Sequence, residues 1–214
     1  MKKLWIFGDS FSTPFNHDSN KIWSNKYIEW KGYTPKIFSD ILCEELNLEL
    51  FSMAAGGSCN DTIFESIYTN AHNIKKGDII IIGWSNILRF RVATETKDWW
   101  SIIPEFTDTY SNKLPFISKE SLDEIVYNRS YSIYEDALTK KKNFIKWLFK
   151  NNIVIQWSPF ESITKQKIKN GALNTLEDET NGEIQNKHYS EIGHKELALG
   201  MHRLINIQIT PNII

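Results

Sequence analysis

Apolar and polar positions along the chain alternate between two regimes. Four short apolar runs, at residues 4–7, 49–53, 78–83 and 153–157, are closed by glycine or polar residues. Such runs predict strands buried on both faces, as in a parallel sheet. Between them the apolar residues recur at helical spacing. Residues 35–46 carry Ile37, Phe38, Ile41, Leu42 and Leu46, with Pro35 suited to a first turn. Residues 61–72, 122–150 and 190–205 predict three further helices. Strands alternating with helices predict an α/β fold, a flavodoxin-like three-layer α/β/α sandwich around a central parallel sheet. Two stretches, 12–34 and 90–121, fit neither period and are expected as irregular insertions. Both carry aromatic residues, among them Trp23, Tyr27, Trp30 and Tyr33 in the first and Trp99, Trp100, Phe106 and Tyr110 in the second. Long loops of this kind are candidates for a lid or a substrate wall.

Length and composition narrow the class. The 214 residues suit one α/β domain spanning 1–214, and 41% hydrophobic with 24% charged residues suits a globular chain. The 25 basic and 26 acidic residues balance to a net charge of -1. That argues against a nucleic-acid binder, which needs surplus positive charge to displace counterions. The run Lys140, Lys141 and Lys142 reads as a solvated helix face. Cys43 and Cys59 form neither a metal-spaced cluster nor a disulfide framework, and no metal or cofactor is implied. The apolar run after Lys2 and Lys3 is stopped by Asp9, so it reads as a first strand rather than a leader. No run approaches the ~20 apolar residues that span a bilayer, and the chain is expected to be cytoplasmic at synthesis.

Candidate chemistry lies just after the predicted strands, where open parallel sheets bind ligands. Gly8-Asp9-Ser10-Phe11-Ser12 follows the first strand, Gly56-Gly57-Ser58-Cys59-Asn60 the second, and Gly83-Trp84-Ser85-Asn86 the third. Near the C-terminal end stands His188-Tyr189-Ser190-Glu191-Ile192-Gly193-His194. A serine hydroxyl needs a base, commonly a histidine oriented by a third group, and its tetrahedral intermediate needs oxyanion donors. These segments offer Ser10 as nucleophile and His188 as base. The N–H groups of Ser10 and Gly57 are donors, joined by Asn86 or Ser85.

These four blocks resemble the SGNH/GDSL hydrolase superfamily of esterases and lipases. The first block fits that family's G-D-S-[LFY]-[ST] pattern throughout, and its serine maps to Ser10. Gly57 maps to the oxyanion glycine, with Gly56 as rival, and His188 maps to the catalytic histidine. The resemblance implies a fold of the SGNH hydrolase type and ester hydrolysis through an acyl-enzyme. The substrate class it implies is a short acyl or O-acetyl ester, including one on a carbohydrate. Two positions depart from the pattern. Ser85 stands in the third block's asparagine column with Asn86 next to it. Asn186 and Gln185 stand where an aspartate usually precedes the histidine. The orienting group is therefore open between Asn186, Gln185, Asp178 and Glu183, and the site reads as a Ser–His dyad or a substituted triad.

Competing readings exist for each residue. Ser10 alone would serve as a helix cap, and the second and last blocks are what favour the nucleophile. Asp9 is expected to support its turn, and His194 to be structural. His17 and His72 lie in no motif. Trp84, Arg89 and Phe11 are candidates for a substrate wall; Arg89 could pair with a carboxylate substrate or an internal acidic residue, and the internal salt bridge is the preferred reading. Two other functions share the same machinery: a glycan-binding module of weak or no activity, and an acyltransferase. The oligomeric state is not encoded in any pattern found.

Overall fold

The computed structural model describes residues 1–93, 99–102, 118–127, 131–160 and 173–209. Its strands are β1 (Lys3–Phe7), β2 (Glu49–Ser52), β3 (Ile79–Gly83), β4 (Phe90–Ala93), β5 (Trp99–Ile102) and β6 (Ile153–Trp157). Its helices are α1 (Lys21–Lys31), α2 (Phe38–Leu46), α3 (Asn60–Asn70), α4 (Lys119–Tyr127), α5 (Tyr131–Leu148), α6 (Leu176–Glu179) and α7 (Glu191–Ile209). Four strands form a parallel sheet in the order β2-β1-β3-β6. The strand order reverses direction between β1 and β3, and the carboxyl ends of those two strands form the switch point where α/β sheets place their ligands.

The alternation of side chains along β1 and β3 explains why both read as unbroken apolar runs. Leu4, Ile6, Ile79 and Ile81 face one layer, packing with Phe38 and Leu42 of α2 and with Leu197, Met201 and Ile205 of α7. Trp5, Phe7, Ile80 and Ile82 face the other, against Ile63 and Ile67 of α3 and Leu138 and Ile145 of α5. Burying each such side chain fully contributes about 1.5–3 kcal/mol, so both layers are needed to hold the sheet. The α/β sandwich expected from the sequence is thus present, with helices on both faces.

Several boundaries differ from expectation. Asp78 ends a turn instead of beginning β3: its carboxylate accepts hydrogen bonds from the N–H groups of Lys3 (3.1 Å) and Lys75 (3.0 Å) and from Trp5 Nε1 (3.1 Å). The stretch 12–34 is not irregular, since it contains α1. Among its described side chains that helix buries Ser24 and Tyr27, while Trp30 is exposed. Tyr27 joins Phe15, Ile37, Leu176 and Ile184 in a small separate cluster. Within 90–121, β4 and β5 pair as an antiparallel hairpin, with Phe90 opposite Ile102. Residues 94–98 and 103–117, Phe106 and Tyr110 among them, lie outside the described residues. Where one helix was expected at 122–150, the described residues hold α4 and α5 on either side of residues 128–130. Among the described residues no helix is long and apolar enough to cross a membrane.

Candidate active site

The loop after β1 folds as one short 3-10 turn, Ser10–Ser12, organised by Asp9. Asp9 Oδ1 accepts the Phe11 N–H at 3.1 Å, while the Asp9 carbonyl accepts from Ser12 N–H at 2.9 Å and Thr13 Oγ1 at 2.8 Å. The Ser10 N–H has no partner among the described residues. Asp9 is fully buried. Its second oxygen accepts from Ser85 Oγ at 2.9 Å and from Arg89 Nη1 at 3.1 Å. Burial pushes the Asp9 carboxyl up; the Arg89 cation and these hydrogen bonds pull it back.

The segment carrying His188 is tied down from the other side of the sequence. The first N–H groups of α6 reach it: Leu176 N–H donates to the His188 carbonyl at 2.9 Å and Glu177 N–H to that of Asn186 at 3.1 Å. Ser190 caps α7, accepting the Gly193 N–H at 3.2 Å, and donates to Asn174 Oδ1 at 2.5 Å. At Gly193 any Cβ would collide with the Asn174 carbonyl oxygen, so this close approach requires glycine. A further clamp joins α1 to the same region. The Tyr27 hydroxyl donates to Glu179 Oε2 at 2.5 Å and accepts the Glu191 N–H at 2.8 Å, and Lys31 bridges Glu179 and Glu191.

These two supports bring Ser10 and His188 together across 178 residues of sequence. Ser10 Oγ lies 2.7 Å from His188 Nε2, and His188 Nδ1 lies 2.7 Å from Asn186 Oδ1. The orientation of the Asn186 amide is fixed by a second contact: the His188 backbone N–H donates to the same Oδ1 at 2.8 Å. Flipping the amide would set its NH2 against that N–H, donor against donor. The oxygen therefore faces Nδ1, which must carry the ring proton, and Nε2 presents its lone pair to Ser10. Burial, followed by the nearby Arg89 cation, lowers the His188 pKa to about 4, so the ring is neutral at pH 7.

The other candidates for the orienting group are elsewhere. Asp178 accepts from Thr175 N–H (2.9 Å) and Oγ1 (2.6 Å) in a capping box. Gln185 and Glu183 are exposed. Of the oxyanion candidates, the Gly56 N–H is engaged by Ser19 Oγ at 2.8 Å, whereas Gly57, at φ +81°, has an N–H without partner among the described residues. Asn86 uses Oδ1 to accept the Leu88 N–H at 2.9 Å, which leaves its amide NH2 uncommitted among the described residues. Ser85 does not fit the oxyanion role expected of it: it is fully buried, and its hydroxyl hydrogen is directed to Asp9.

Of the expected substrate wall, Trp84 is fully buried and donates Nε1 to Gln156 Oε1 at 3.0 Å. It continues the inward alternation of Ile80 and Ile82, a period-two signal already visible in the sequence. Phe11 stacks on the His188 ring at 4.5 Å between centroids and meets Phe160 edge-on at 5.8 Å. Arg89 makes the internal ion pair with Asp9. His194 is buried among Phe15, Phe38 and Tyr189, and burial with its neighbour His188 lowers its pKa to about 3. Asn60 has a role the sequence did not assign. Its Oδ1 accepts Ser85 N–H at 2.8 Å and its Nδ2 donates to the Ser85 carbonyl at 3.1 Å, which locks the loop after β3. Among the described residues no three His, Cys, Asp or Glu side chains are grouped to hold a metal ion.

Neither a family model nor a curated protein sequence matches the chain. Among solved structures it is similar to a lipolytic protein of the G-D-S-L family from Desulfitobacterium hafniense, at 11% identity and a TM-score of 0.38, covering 95% of this chain and 99% of that one. It is also similar to an acetyl xylan esterase, at 13% identity and a TM-score of 0.37, with the same coverage of 95% and 99%. At these values the likeness carries no argument about activity, which rests on the geometry of the site.

Proposed function

We propose that the chain is a serine hydrolase acting on carboxylic esters, with Ser10 as nucleophile, His188 as general base and Asn186 as the orienting group. The observation that carries this reading is the hydrogen-bonded line from Ser10 Oγ to His188 to Asn186, at 2.7 Å in each step. In the first half-reaction Nε2 takes the Ser10 proton as Oγ bonds to the ester carbonyl carbon. The carbonyl oxygen becomes an oxyanion that the N–H groups of Ser10 and Gly57 and the Asn86 amide stabilise. The imidazolium then returns the proton to the departing alkoxide as the C–O bond breaks, leaving an acyl-serine. Water repeats the sequence and releases the acid. Short acyl or O-acetyl esters, including those on carbohydrates, are the substrates assigned.

Asn186 distinguishes this site from a complete acidic triad. It sets the tautomer without adding negative charge, so the imidazolium formed in each half-reaction is less stabilised than beside a carboxylate. That specific feature favours a second reading, a binding module with weak hydrolysis. Hydrolysis of p-nitrophenyl acetate by wild type, Ser10→Ala and His188→Ala separates the two. A loss of about three decades in kcat/KM in both variants supports the hydrolase. Equal rates in all three proteins refute it.

A further inference from the structure

Arg89 is bonded in a way that an ion pair made only for structure does not require. A guanidinium offers five N–H donors in a planar fork, and arginine–carboxylate pairs are frequently bidentate. Here Nη1 alone makes both contacts, to Asp9 Oδ2 at 3.1 Å and to Ser85 Oγ at 2.8 Å. Nε is buried with no hydrogen-bond partner. The rest of the fork is therefore uncommitted among the described residues, although the side chain is only 12% exposed. Asp9, its partner in the ion pair, is fully buried and engages Nη1 alone.

Location supplies the second line of argument. The Arg89 guanidinium carbon lies 5.8 Å from the centroid of the Phe160 ring. Phe160 meets Phe11, and Phe11 stacks on His188. Successive contacts from Arg89 through Phe160, Phe11 and His188 to Ser10 bring these half-buried residues together. The cation is close enough to His188 to disfavour its protonated form. A fork with donors uncommitted among the described residues, beside aromatic rings, is the chemistry that recognises a carboxylate next to an apolar or aromatic body.

We propose that Arg89 is a substrate-recognition residue and that the site takes esters carrying a carboxylate within reach of its guanidinium. The hydrolytic half of this inference rests on the Ser10–His188 reading; the binding half does not. A carboxylate docked there also places negative charge near the imidazole, where Asn186 supplies none, so the anionic substrate gains in kcat as well as in KM.

The test pairs 4-acetoxybenzoate with its neutral counterpart 4-acetoxybenzamide. A charge-assisted contact of this type predicts a kcat/KM ratio of about 10–100 in favour of the benzoate in wild type. The ratio should fall to near unity in the double variant Asp9→Asn/Arg89→Gln, which removes both members of the pair and leaves no buried charge alone; circular dichroism checks its fold. Arg89→Lys, which keeps the charge and loses the fork, should give an intermediate ratio. A ratio near unity in wild type, or one unchanged in the double variant, overturns the proposal. Calorimetric titration of benzoate and benzamide into Ser10→Ala protein separates the two halves. If neither ester is hydrolysed but benzoate alone binds, and binding is lost on adding the Asp9→Asn/Arg89→Gln pair, carboxylate recognition stands and the hydrolase reading fails. If both esters are hydrolysed equally and benzoate does not bind, the hydrolase stands and the recognition role of Arg89 fails.

Discussion

Replacing Asn186 with aspartate changes one atom and adds one negative charge at the far end of the Ser10–His188 line. The side chain is held by two hydrogen bonds to Oδ1, from His188 Nδ1 at 2.7 Å and from the His188 backbone N–H at 2.8 Å, and a carboxylate oxygen accepts both equally well. The ring tautomer should therefore be unchanged, and only the electrostatics should differ. With charge centres about 4 Å apart and an effective dielectric constant near 20, the new attraction for an imidazolium is about 4 kcal/mol, and desolvation of the carboxylate offsets part of it. The acid limb of kcat/KM, set in wild type by a His188 pKa of about 4, should move to about pH 6 in Asn186→Asp. At pH 8 kcat should rise about 10- to 100-fold, because the imidazolium that forms in the transition state is better stabilised. The assay is p-nitrophenyl acetate hydrolysis from pH 4 to 9, with Asn186→Ala as the comparison that removes the acceptor altogether and should lose activity. An Asn186→Asp profile superimposable on wild type would refute the reasoning, since it would mean that residue 186 does not face the imidazole.

Other expectations follow from the supports around the site. Gly193→Ala should destabilise the protein by more than about 2 kcal/mol in urea denaturation, because the added methyl displaces the Asn174 carbonyl that anchors Ser190. Stability should also fall in acid. His188 and His194 have folded pKa values of about 4 and about 3, below the unfolded value near 6.5, so the unfolded state binds more protons as pH drops. Their contribution is complete above about pH 6.5 and is lost progressively from there down to about pH 3, on the order of 8 kcal/mol for the two together. Thermal melts at pH 7, 5.5 and 4.5 should show a shallower acid loss in His194→Phe than in wild type; parallel curves would exclude this origin.

The legible parts of the molecule were those in which one local signal was sufficient. The strands β1 and β6 could be read because residues 4–7 and 153–157 are short apolar runs, and α2 because its apolar residues recur at full helical spacing. Helix α1 was not read from the sequence; among its described side chains the buried ones are Ser24 and Tyr27. Tyr27 packs into a small side cluster and points its hydroxyl at Glu179, so the helix is held by partners distant in sequence rather than by an apolar face. The meeting of Ser10 and His188 was foreseeable from two separate motifs, one after β1 and one just ahead of the last helix. Asn186 stood among four candidates for the orienting group, and the choice between them depends on the His188 backbone N–H that orients the amide. Ser85 and Trp84 were misjudged for one shared reason. The loop after β3 continues the alternation of the strand, sending Trp84 into one core layer and Ser85 onto Asp9, and motif columns alone do not reveal that direction.

The central claim is that Ser10 Oγ is a nucleophile activated by the neutral His188 ring. A fluorophosphonate probe tests it most directly, because it bonds covalently only to an activated serine. Peptide mapping of the labelled wild-type protein should place the adduct on Ser10, with labelling abolished in Ser10→Ala and strongly slowed in His188→Ala. No labelling of the folded wild-type protein, or an adduct on any other serine, would contradict the account.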